Sequence, residues 1–335
     1  MVFFKEKALL LLLLPALLFS CNKQMIDVGK TPEEKLTLIE EKFNQLEKDN
    51  QFHGAVLIAK DGAPIFEHAY GESTDGTLNK TTDQFNIASI GKMFTGVAAI
   101  KLVQDDLLDV NKTVFDYLPD YGQSADTKKM TVHHLLTHSS GIPDIFSYDK
   151  IQEVDDSKIA TWYDYFSYFE TDELDFEPGK KWNYSNSGYL VLGKIIEAVS
   201  GQDYCTYLTE NILTKANMTS LNCGFPMGGS IGTMQDLLNF SEALQNYELL
   251  NETNTNSATE GKIRIEKDVY YGYGFQVYKR YRSLEVSHKG GAAESKAQLL
   301  MFPETGYTVI IYGNNNEIGY DGFNEARHYL REILT

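Results

Sequence analysis

Basic residues are in short supply: 30 lysines and arginines stand against 47 aspartates and glutamates, a formal charge of -17 at neutral pH. That balance disfavours nucleic acid and anionic membrane surfaces as partners, since both would be repelled. Cysteine is nearly missing, with three in 335 residues, too few for a disulfide framework to hold the fold. No internal repeat or low-complexity tract interrupts the chain, and beyond residue 20 no apolar run reaches membrane-spanning length. The remainder is ordinary, 42% hydrophobic and 23% charged, with enough chain for one large domain or two smaller ones.

Residues 1–20 read as a signal peptide. Lys5 and Lys7 make a short basic start, and Ala8 to Phe19 form an apolar run too short to span a bilayer. Leu18-Phe19-Ser20-Cys21 resembles a bacterial lipobox, so lipidation of Cys21 and anchorage of an exported lipoprotein to the cell envelope are expected. Residues 21–33 then serve as lipidated cysteine and polar tether, and the domain is expected over 34–335. Of the other two cysteines, Cys205 sits in a helix-like run, and the two are expected to be unpaired apolar residues, with a disulfide, which an exported protein can keep, as the alternative.

Thr31-Pro32-Glu33-Glu34 signals a helix start, with Leu36, Ile39, Phe43 and Leu46 on one face. Gly54 to Lys60, the turn Asp61-Gly62, and Pro64 to Tyr70 form a hairpin. Residues 107–247 read mostly as helices and loops. From Tyr270 the period becomes that of strands, at 273–278, 284–288, 296–302 and 307–312, with a closing helix from about Asp321 to Leu334. Strands at both ends with helices between them predict an α+β fold, one sheet interrupted by a helical insertion.

Ser89 opens a stretch in which Met93, Val97, Ile100, Val103 and Leu107 recur three or four apart, the period of an amphipathic helix reaching about Asp106. Lys92 is one turn on and within reach of the serine hydroxyl. A hydroxyl is a weak nucleophile until a base takes its proton, and lysine is such a base only when burial lowers its pKa. His134 and His138 are four apart, but no glutamate follows His134 and no third ligand is evident, so packing histidines are expected there and no metal. The aromatic run Trp162 to Phe169 reads as a helix pressed on the core, with a cleft wall as the alternative.

Two later stretches bear on Ser89: Tyr184-Ser185-Asn186 at a loop before a helix, and His288-Lys289-Gly290-Gly291 at a strand end. With Ser89-x-x-Lys92, their order and separation resemble the three motifs of the serine β-lactamase and penicillin-binding protein superfamily. The likeness is to its class C-like branch of class C β-lactamases, D-alanyl-D-alanine carboxypeptidases, D-aminopeptidases and family VIII esterases. His134 to Gly141, Pro178-Gly179 and Tyr271 to Phe275 look like that branch too.

The resemblance implies a β-lactamase-like fold: a five-stranded antiparallel sheet flanked by terminal helices, with an inserted helical subdomain. It implies Ser89 as nucleophile, with Tyr184 exchanging protons under the influence of Lys92. Asn186 would hold Lys92 and meet a substrate amide oxygen. The backbone N–H groups of Ser89 and Gly291 would form an oxyanion hole, and glycine at 290 and 291 would let a substrate approach. No metal or organic cofactor is implied. The substrate would be a small ester, a D-amino-acid peptide of cell-wall type or a β-lactam.

His288 stands where the β-lactamases carry lysine. Its unperturbed pKa of about 6.5 leaves it mostly neutral near pH 7, so neutral esters or uncharged peptides are expected to outpace β-lactams. The competing reading is a catalytically silent penicillin-binding-like protein that recognises peptidoglycan peptides or a partner.

Overall fold

The computed structural model describes residues 30–335 apart from 123, 172, 280–281, 293–294 and 315–318. The signal peptide, Cys21 and residues 22–29 of the tether lie outside the described residues. The first helix, Pro32–Lys48, starts with Pro32 in its first turn and a capping box, in which Thr31 and Glu34 satisfy each other's backbone N–H groups.

Strands β1 (Gly54–Lys60), β2 (Ala63–Tyr70), β8 (Glu285–Ala292), β9 (Ser295–Phe302) and β10 (Tyr307–Gly313) form the body of an antiparallel sheet, in the order β2-β1-β10-β9-β8. The expected sheet had five strands, and the observed one has eight among the described residues. Beyond β8 it continues through β7 (Gln276–Tyr278), β6 (Val269–Tyr271) and β5 (Ile263–Glu266). Of these, β7 falls within the strand expected at 273–278, whereas β5 and β6, of four and three residues, are too short for alternation to show in sequence.

The sheet is covered on both faces, which explains the unbroken apolar run Ala55-Val56-Leu57-Ile58-Ala59 in β1. Val56, Ile58, Val309 and Ile311 face the terminal helices and pack with Ile39, Phe43, Leu46, Leu330 and Ile333. Ala55, Leu57, Leu299 and Ile310 join a second core with the helical region. A buried, two-pronged ion pair, Arg331 to Glu285 (Nε–Oε2 2.6 Å), ties the closing helix Gly319–Leu334 to β8.

In the helical region, β3 (Phe85–Ala88) pairs with β4 (Ser230–Gly232) and lies against β8 and β9. The helix after Ser89 spans Gly91–Gln104 and is not the amphipathic helix expected: every residue from Gly91 to Ile100 is buried. It runs through the middle of the helical region, so apolar residues surround it and the stripe has no meaning. Leu107, assigned to that stripe, lies past the helix end and is 54% exposed.

Cys205 and Cys223 form a disulfide, contrary to the unpaired reading, with their Cα atoms 5.5 Å apart. Cys205 belongs to the short helix Tyr204–Leu208, and the loop carrying Cys223 returns beside it. Sequence could place neither neighbour. The aromatic run divides its work: Trp162–Tyr168 is a 3-10 helix that buries Trp162 and Phe166, while Tyr165 also lines a cleft.

Candidate active site

Ser89 lies in the turn between β3 and the buried helix, half-buried at the bottom of a cleft between the sheet and the helical region. Lys92, one turn into the helix, is fully buried, and its Nζ reaches Ser89 Oγ at 3.3 Å. The amine also donates to Asn186 Oδ1 (2.6 Å) and to the Met227 carbonyl (2.5 Å). Burial pushes its pKa down to about 7, against an opposing pull from the Asp144 carboxylate.

Tyr184 comes from the loop before the Asn186–Ser200 helix and lines the cleft with Ser89. Its ring lies beside the Lys92 amine, 4.9 Å from Nζ to centroid. Burial raises the phenol above the ordinary tyrosine range. A lysine that loses its proton near neutrality and a phenol that keeps one are chemically distinct. At pH 7 the amine can accept the serine's proton and the phenol can donate.

The helix start explains the position of Asn186. Ser185 caps it by accepting from the Gly188 N–H at 3.1 Å, and Asn186 is the first helical residue, aimed back at Lys92. The Ser185 N–H donates to His138 Nδ1 (3.2 Å), and the His138 ring packs 4.2 Å from that of Tyr184. His138 is thus a buried residue packed among aromatic rings. Among the described residues no group of three or more His, Cys, Asp or Glu could hold a metal.

His288 lines the cleft on β8, but its nitrogens are committed. Nδ1 donates to the Lys289 carbonyl (2.8 Å) and Nε2 accepts from the Tyr271 hydroxyl (2.9 Å), a tautomer fixed by those partners. Burial, with the nearby Lys92 charge, drives its pKa down to about 3. It is neutral, as expected, yet has no free nitrogen to meet a substrate carboxylate.

The glycines at 290 and 291 differ from each other. A Cβ on Gly290 would sit 2.1 Å from the Ile87 carbonyl oxygen, so this glycine lets β8 close on β3 rather than admit a substrate. Gly291 faces open space in the cleft. The beta-lactamase family model matches residues 39–331.

The chain belongs to the beta-lactamase family. Penicillin-binding protein 4* of Bacillus subtilis is 25% identical over 324 residues, which cover 82% of this chain and 71% of that protein. Protein flp of Staphylococcus aureus is 34% identical over 188 residues, covering 55% of this chain but only 36% of flp. Among solved structures, a penicillin-binding protein from Bacillus halodurans superposes with a TM-score of 0.76 at 24% identity, covering 85% of this chain and 99% of its own. A D-amino acid amidase from Ochrobactrum anthropi gives 0.78 at 18%, covering 90% and 97%. At those identities the structures speak for fold alone, and the β-lactamase-like architecture is shown.

Two contributors to this beta-lactamase-family site escaped the sequence. The Met227 carbonyl holds Lys92 but has no side-chain signature, and its turn is pressed on Ala88 by Gly228, whose φ of +125° only glycine adopts readily. Asp144 was also missed, although it follows the Ser139-Ser140-Gly141-Ile142-Pro143 turn directly.

Proposed function

We propose that the chain is a serine hydrolase that cleaves esters or amides through an acyl-enzyme on Ser89. The observation behind this is a serine hydroxyl 3.3 Å from a fully buried lysine amine whose pKa lies at about 7. Lys92 takes the proton from Ser89 as Oγ bonds to the substrate carbonyl carbon. The N–H groups of Ser89 and Gly291 are the assigned donors to the oxyanion. Tyr184 gives its proton to the leaving group as that bond breaks and is reprotonated from Lys92. Water then attacks the acyl carbon, Ser89 leaves with a proton, and the free acid departs.

Amide chemistry is supported by the relatives named penicillin-binding protein and D-amino acid amidase. The silent-binder reading fits less well, since burying a lysine amine costs free energy that a binding module has no reason to spend. The test is turnover of p-nitrophenyl esters, D-alanyl peptides and nitrocefin by Ser89→Ala, Lys92→Ala and the double variant. Both single variants should lose turnover of whichever substrate is cleaved, and the double variant should be no worse, because the two groups act as a unit. Retention of most of the rate in Lys92→Ala would remove the proposed base.

A further inference from the structure

Asp144 accepts from the Asn186 backbone N–H at 2.9 Å and from its side-chain Nδ2 at 3.0 Å, with the second carboxylate oxygen 3.3 Å from the same nitrogen. The Asn186 amide is therefore oriented: oxygen to Lys92, nitrogen to the carboxylate. One Nδ2 hydrogen serves both carboxylate oxygens, which leaves the second for a substrate amide oxygen, the role its motif implies. The Asp144 carboxylate stands beside it. Asp144 is half-buried, lines the cleft with Ser89, and forms no ion pair among the described residues. Lys92, which is linked to it through Asn186, gives up its charge when it acts as a base.

From Ser89 the cleft opens in two directions. One arm runs toward Lys289, Asn324 and Arg327. The other, of about 1010 Å³, runs past Asp144 to the apolar side chains Phe146, Ile151, Tyr165 and Phe225, and Lys296 also lines it. Phe146 and Ile151, 39% and 42% exposed, leave apolar surface in this arm for a substrate side chain to cover. A carbonyl oxygen would be repelled by Asp144, whereas an ammonium would find a charge-assisted acceptor.

We propose that Asp144 is the specificity-determining residue of the cleft and binds the free ammonium of an acyl group whose apolar side chain lies on Phe146, Ile151, Tyr165 and Phe225. The substrates are then amides or esters of apolar amino acids with an unblocked amine, and the Lys289 arm takes the leaving group. This rests on acylation of Ser89.

The test uses phenylalanine p-nitroanilide in both configurations, its N-acetyl and N-succinyl derivatives, and 3-phenylpropionyl p-nitroanilide, which lacks the amine. In the wild type, kcat/KM for the better free-amine enantiomer should exceed that for the N-acetyl and des-amino compounds by about tenfold or more, the discrimination of one charge-assisted hydrogen bond. The N-succinyl compound should be poorest. In Asp144→Asn the free-amine to des-amino ratio should collapse to within about threefold. If all substrates fell together with the ratio preserved, Asp144 would only position Asn186 and the proposal would fail. Wild-type preference for blocked amines would overturn it without any variant. Labelling of Ser89 by a fluorophosphonate alongside a flat ratio would sink this inference and leave the hydrolase reading standing. Absence of both labelling and turnover would sink both.

Discussion

Lys92 is held in a balance that its neighbours set. Desolvation lowers its pKa to about 7, and the Asp144 carboxylate, acting across Asn186, keeps it from falling further. A base works only when deprotonated, so kcat/KM for a neutral ester should be low in acid and rise with unit slope through about pH 7. His288, with its pKa pushed down to about 3, contributes no inflection over about pH 5.5 to 8, the usual histidine range. A profile flat across that range would contradict the Lys92 assignment. At this scale Ser89, Lys92 and Tyr184 were legible because their motifs have fixed spacing and order. The partners that tune them were not. Asp144 meets Asn186 across 42 residues of chain, and Met227 contributes only a backbone carbonyl. Neither kind of contact leaves a local pattern.

Strand and helix positions were read best where the pattern was long. The hairpin β1–β2, strands β9 and β10 and the closing helix lie within a few residues of their expected bounds. The Gly91–Gln104 helix was recognised, but its environment was not, because periodicity cannot tell a buried helix from one with a single apolar face when both contain evenly spaced large residues. The disulfide was hidden for a similar reason: pairing depends on a loop path that has no sequence period. The packing of β8 on β3 gives a direct check. Gly290→Ala places a methyl group 2.1 Å from the Ile87 oxygen and should cost about 1 to 3 kcal/mol in urea unfolding. Gly291→Ala, facing open space, should change stability by less than about 0.5 kcal/mol. Equal losses in both would mean that β8 does not approach β3 as described.

At the largest scale, the described residues form a main antiparallel sheet with a hydrophobic core on each face, and the site lies where the second core meets that sheet. No described helix is long and apolar enough to cross a membrane. If Cys21 carries a lipid, replacing it with serine should move the protein from the membrane fraction to the soluble one with kcat unchanged. Persistence in the membrane fraction after cleavage of the leader would indicate a different anchor. The central claim is covalent chemistry at Ser89, and intact-mass measurement after treatment with a fluorophosphonate tests it most directly. One adduct per chain, mapped to the peptide containing Ser89 and absent from Ser89→Ala, is the result expected. An adduct on another residue, or undiminished ester hydrolysis by Ser89→Ala, would contradict it.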